Sequence, residues 1–250
     1  MLFSMGIPVW SQNPEMATIE RGSYTPLYGR DSSQVAVDAF LLDTVPVTKA
    51  EYLAFVKDNP KWRKSNVKGL FADDNYLNAW QGDLQLNPND KEDEPVTNVS
   101  WFAAKAYCKC QGKRLPTLDE WEYVAMADDN SPDARKKDSY NQYILSWYER
   151  PKDEHQQIGS TRKNYWGVYD MHGLVWEWTQ DFNSVLISSE SRNGGKNKNL
   201  FCSAAAVGAT DLMNYAAFMR YAFRSSVKGN YTINNLGFRC AKDIEKKDSL

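Results

Sequence analysis

The chain has 250 residues, with 30 Lys and Arg against 32 Asp and Glu, and its formal charge of -2 offers no electrostatic case for binding nucleic acid or an anionic membrane. Hydrophobic residues make up 42%, with nine Trp and fourteen Tyr, enough for a sizeable core in one large domain or two small ones. No run reaches the roughly 18 apolar residues that a membrane span requires, so no membrane span is expected.

Met1 to Trp10 is apolar and uncharged, and Ser11-Gln12-Asn13-Pro14 ends the run. Two readings fit it: the end of a secretory signal's apolar region, or a short disordered or strand-forming terminus. Beyond it, Ala17-Thr18-Ile19 and the alternating run from Val35 to Leu42 read as half-buried strands. Thr48 followed by Glu51 has the form of a capping box, with Tyr52, Phe55 and Val56 at helical spacing behind it, which predicts a helix of about ten residues. Residues 61–94 are polar and weakly periodic, a long surface loop anchored by Trp62 and Trp80. Asn98 or Ser100 caps a second helix from Trp101 to about Gln111, closed by Gly112. Cys108 falls on its apolar face, and Cys110 lies about 200° further around the axis, pointing elsewhere. Thr117 and Glu120 form a second capping box ahead of Trp121, Val124 and Ala125. Residues 128–163 read as a polar, irregular stretch, residues 188–199 as an exposed loop, and Gly237 to Ala241 as a core strand. With no linker between two cores and no internal repeat, the economical reading is one α+β domain over residues 17–243, with tails at 1–16 and 244–250.

The stretch Tyr169-Asp170-Met171-His172-Gly173-Leu174-Val175-Trp176-Glu177-Trp178 organises the rest. On a strand, Trp176 and Trp178 share one face while Val175 and Glu177 share the other. A carboxylate held between large aromatics needs a partner: an arginine, backbone N–H groups, or a hard cation such as calcium, to which Asp170 and turn carbonyls would contribute. The four cysteines, Cys108, Cys110, Cys202 and Cys240, are an even count that fits two disulfides in an exported protein. Cys-x-Cys is not a zinc spacing, and His155 and His172 are too few for a histidine-ligated iron. No nucleophile–base order and no phosphate-cradling glycine loop is present.

Val45-Pro46-Val47-Thr48, Pro95-Val96-Thr97-Asn98-Val99-Ser100-Trp101, Gly112-Lys113-Arg114-Leu115-Pro116-Thr117, Glu120-Trp121-Glu122-Tyr123, residues 167–178 and Asn235-Leu236-Gly237-Phe238-Arg239-Cys240 together resemble the formylglycine-generating enzyme, or sulfatase-modifying factor, family. The resemblance implies a variant of the C-type lectin fold with little regular secondary structure and long loops. It implies a calcium site formed by Asp170, the carbonyls of Gly173 and Val175, and Glu177. It also implies a disulfide between Cys108 and Cys240, leaving Cys110 and Cys202 to form a second bridge, remain thiols or build a relocated metal site. The oxidising members bind copper through two cysteines just before an arginine-rich run, and here Arg220-Tyr221-Ala222-Phe223-Arg224-Ser225 occupies that run. Asp211 and Ala216 then stand where the thiols should be, so copper is not expected. The expectation is an exported, periplasmic-type protein that binds a protein or peptide partner without chemistry, through a groove that Tyr215, Phe218, Tyr221 and Phe223 would line if they are not core. The alternative is an oxidase that uses Cys110 and Cys202.

Overall fold

In the computed structural model, which describes residues 15–27, 33–149, 156–183 and 212–245, the run expected as one strand from Val35 to Leu42 breaks at Asp38-Ala39. The break lets its halves hydrogen-bond to different partners. Strand β1 (Met16–Ile19) pairs antiparallel with β4 (Phe40–Asp43), and β2 (Gly22–Tyr24) with β3 (Val35–Val37). The buried face shifts by one residue at the break, from Val35 and Val37 to Phe40 and Leu42, so one continuous alternation does not describe both halves.

Both capping boxes form. Thr48 caps α1 (Lys49–Asp58) and Thr117 caps α3 (Leu118–Ala125), each accepting from the N–H of the glutamate three residues on. Between them, Ser100 rather than Asn98 caps α2 (Trp101–Cys110), and Gly112 follows with φ of 67°. Asn98 instead adopts a positive φ of 54° in the turn before the cap.

Residues 61–94 hold the predicted loop, pinned by buried Trp62, Tyr76 and Trp80. The Tyr76 hydroxyl donates to the Trp62 carbonyl at 3.0 Å and meets the hydroxyl of Tyr52 on α1 at 2.7 Å, so both phenols are satisfied inside the core. This loop, α1, α2, Trp178 and Phe238 enclose one apolar core. The strands β1 to β4, α3, Val168 and Met171 enclose a second.

Two helices went unread in the sequence. Residues 128–163 are not irregular throughout, because α4 (Asp138–Glu149) seats Tyr140 and Ile144 against Ala134 in a small satellite cluster. The second is α5 (Leu212–Ser226). Two-residue strands β5 (Trp176–Glu177) and β6 (Leu236–Gly237) pair in parallel, with Glu177 opposite Gly237. A Cβ at position 237 would lie 2.6 Å from the Val96 carbonyl oxygen, so this crossing of backbones needs glycine. The expected strand from Gly237 to Ala241 is interrupted: β6 ends, and the chain re-enters pairing as β7 (Ala241–Asp243) on the free edge of β4. The resulting sheet order is β1-β4-β7.

Cys108 of α2 and Cys240 just before β7 are joined by a disulfide across 132 residues, fully buried in the first core. Closing so long a loop should contribute about 3–5 kcal/mol. A Cys108→Ala, Cys240→Ala double variant is therefore expected to lose about that much in urea unfolding, and an unchanged denaturation midpoint would show that the bridge contributes nothing.

Candidate functional site

Glu177 lies on β5 between the two cores, and its partner comes from the break between β6 and β7. The Arg239 guanidinium donates through Nε to both Glu177 oxygens, at 3.0 and 2.9 Å, and through Nη2 at 2.7 Å. Its Nη1 lies 3.3 and 3.4 Å from the carbonyls of Asp43 and Thr44. Both side chains are completely buried, at 0% exposure. The Trp121 indole on α3 completes the set, donating to Glu177 Oε2 at 2.8 Å. A buried pair with this many hydrogen bonds recovers much of its desolvation cost, while removing one partner leaves a bare charge.

The chain of charges continues across Trp121. Arg224 and Arg220 on α5 stand 4.7 and 5.8 Å from its ring, a cation–π arrangement. Both donate to Glu122, the next residue on α3, Arg220 at 3.0 and 2.9 Å and Arg224 at 2.6 Å. Burial alone would raise the Glu122 carboxyl, but the two guanidiniums prevail and hold it down at about 2. His172 meets the Trp121 ring edge-on at 6.0 Å. Its Nε2 sits 2.8 Å from the Ala125 carbonyl and 3.2 Å from the Tyr140 hydroxyl. Burial, reinforced by the charge of Arg220, pushes this imidazole down to about 4, so it is neutral near pH 7 and places its proton toward the Ala125 carbonyl.

Asp170 occupies a different pocket of the same motif. It is fully buried with φ of 59°. Its carboxylate accepts the backbone N–H groups of Gly159 and Thr161, and its own N–H donates to Thr161 Oγ1 at 2.7 Å. Gly173 closes the turn with φ of 104°, and a Cβ there would meet the Trp147 ring of α4 at 2.1 Å. Val175 packs behind Gly237. As arranged, Asp170, Gly173, Val175 and Glu177 do not fit a calcium shell. The Glu177 oxygens face a guanidinium and an indole, the Asp170 oxygens face N–H donors, and a cation would have to displace Arg239. Among the described residues, no group of three or more His, Cys, Asp or Glu side chains is placed to hold a metal.

Of the aromatics proposed for a groove, Phe223 stacks on Trp176 at 4.5 Å and 22°, both half-buried against the first core. Tyr221 is half-buried on the same helix, and the side chains of Tyr215 and Phe218 lie outside the described residues. So do Asp211, Cys202 and the side chain of Ala216, although the backbone of Ala216 is within α5. Cys110 is exposed at the end of α2, with Asn59 Nδ2 at 3.9 Å as its hydrogen-bond neighbour. A cleft of about 80 Å³ opens between α4, residues 161–164 and the Met171-His172 turn. Two of its polar residues are already engaged: Asp128 accepts from Ser131 and Lys137, and Asn164 is bonded to Val124, Trp166 and Val168. Tyr140 and His172, which also line it, meet at 3.2 Å, but the His172 nitrogen concerned is turned to the Ala125 carbonyl.

A sequence profile of the sulfatase-modifying factor enzyme 1-like domain matches residues 7–244. The chain belongs to the sulfatase-modifying factor family. It is 29% identical to the formylglycine-generating enzyme of Streptomyces coelicolor, over 84% of this chain and 80% of that one. It is 27% identical to the inactive Cα-formylglycine-generating enzyme 2 of Bos taurus, over 85% and 81%. The fold resembles that of PvdO from Pseudomonas aeruginosa, with a TM-score of 0.51 at 18% identity over 92% of this chain and 95% of that one. The α+β architecture of the family is present: short strands, capped helices and long loops. What the family resemblance did not specify is how Glu120 and Glu122, on either side of Trp121, divide the arginines between them. Glu120 takes Arg114 through two 2.7 Å bonds, while Glu122 takes Arg220 and Arg224. The i, i+4 spacing of Arg220 and Arg224 on a helix was the available signal.

Calcium or a chelator is expected to leave the melting temperature unchanged, whereas Glu177→Ala, which strands Arg239, should cost about 3–5 kcal/mol. A rise of several degrees with calcium would show that Arg239 gives way. Glu122, depressed from 4.5 to about 2 in the folded state, contributes stability that is present above pH 4.5 and is lost as pH falls through about 2. Melting curves of wild type and Glu122→Gln should therefore converge over that window, and a constant difference would contradict the pairing.

Proposed function

We propose that this chain is a non-oxidase member of the family that acts, after export, as a binding module for a protein or peptide partner. The observation that carries this reading is the absence of any cysteine between Cys202 and Cys240, which leaves Asp211 and Ala216 where the oxidising members are expected to place thiols. Neither residue supplies the soft ligand that copper(I) requires or a sulfur for redox chemistry. A relative named inactive, enzyme 2 of Bos taurus, is matched alongside the formylglycine-generating enzyme of Streptomyces coelicolor, so a member without the oxidase activity is compatible with the family. Export is supported by the Cys108–Cys240 bridge, since disulfides persist in oxidising compartments. The binding surface on this reading includes the Trp176–Phe223 stack, whose half-buried rings keep part of their apolar area at the surface.

The relocated oxidase is the weaker reading. It needs Cys110, exposed on α2, to meet Cys202 next to a substrate. The deciding experiment supplies the protein with copper, oxygen and a cysteine-containing sulfatase peptide, and follows conversion of cysteine to formylglycine by mass. No aldehyde is expected. Aldehyde formation that Cys110→Ser abolishes would overturn the proposal in favour of the relocated pair.

A further inference from the structure

We propose that the face built from residues 60–71, α2 and residues 226–235 docks on an anionic lipid surface. The net charge of the chain conceals this face. These three segments carry four, two and one Lys or Arg respectively and no Asp or Glu, in a protein where acids outnumber bases. Contacts bring them together. Asn230 donates to the Gly69 carbonyl at 3.4 Å, the Trp101 N–H donates to the Gly229 carbonyl at 3.0 Å, and the Phe71 and Phe102 rings meet at 5.5 Å.

At the centre is an apolar tip. Leu70 is 75% exposed and Phe71 37%, and Phe71 rests on Phe102 and on buried Trp62. Around it lie exposed Lys68, Lys228, Lys61 and Lys105, the last with its ammonium 4.6 Å from the Trp101 ring. The nearest acids are largely engaged. Asp73 accepts from Thr232 and Asn75, Asp83 accepts from Ser65, and Asp74 beside the tip and Asp58 ahead of Lys61 are the exposed acids among the described residues nearby. A protruding Leu-Phe pair ringed by lysines and backed by tryptophans complements a layered partner, apolar beneath and negative above. An acidic peptide would engage the lysines but leave Leu70 in water, so the lipid surface is the better complement.

The test is co-sedimentation of the intact protein with mixed phosphatidylcholine–phosphatidylglycerol vesicles, pure phosphatidylcholine vesicles, and soluble poly-glutamate as a competitor. Binding to the mixed vesicles only, weakened by salt, is expected. Each of Lys68→Gln and Lys228→Gln should weaken it about fivefold, and Leu70→Ser about tenfold. All three positions are exposed, so the variants should melt as the wild type does. Failure to bind mixed vesicles overturns the inference. Binding that Leu70→Ser leaves intact and poly-glutamate abolishes overturns it in favour of an acidic protein partner.

Discussion

The Glu177–Arg239 pair is the contact on which both cores depend. Glu177 is carried by a strand of two residues, too short to be stable through its own ladder. Arg239 is carried by the three residues between β6, of two residues, and β7, of three. Neither element has the length to fix itself. The bidentate bond, the Trp121 indole and the carbonyls of Asp43 and Thr44 fix them together, and with them the position of Trp178 in one core and Trp121 in the other. A charge pair here specifies one arrangement, since any slip of β5 against β6 would leave two ions buried and unpaired.

Trp121 makes this pair part of something larger. Its indole N–H serves Glu177 and its face serves Arg224, which in turn holds Glu122 with Arg220. Helix α5 is thus tied to α3 by charge as well as by packing, and Arg220 and Arg224 have a structural occupation. The arginine-rich run therefore closes the fold, tying α5 to α3 through Glu122.

How much of this was legible varied with the range of the interaction. Caps were readable because Thr48–Glu51 and Thr117–Glu120 act over three residues, and both formed as expected. The burial of Glu177 was readable from its flanking tryptophans, but its partner was not, because Arg239 lies 62 residues away and spacing alone left arginine, N–H groups and calcium all open. The break at Asp38-Ala39 escaped because a run of apolar residues on both sides hid the change of phase, from Val35 and Val37 inward to Phe40 and Leu42 inward. Helix α4 escaped for the opposite reason: Tyr140, Ile144 and Trp147 keep a helical stripe, but the surrounding Asp, Lys, Ser and Asn hide it in a window average. Regular periods were legible, whereas changes of partner and sparse stripes required the third dimension.

Strand β4 has a mechanical consequence. Met16 opens β1 opposite Asp43, while Asp243 closes β7 opposite Phe40, so the described chain enters at one end of β4 and leaves at the other. A pull applied through the two ends drives β1 and β7 in opposite directions along the strand axis. The hydrogen bonds lie across that axis and share the load, whereas a hairpin pulled from one end opens bond by bond. The Cys108–Cys240 bridge, sitting one residue before β7, ties the loaded strand to α2. Drawn apart through β1 and β7, this sheet resists in shear rather than by unzipping.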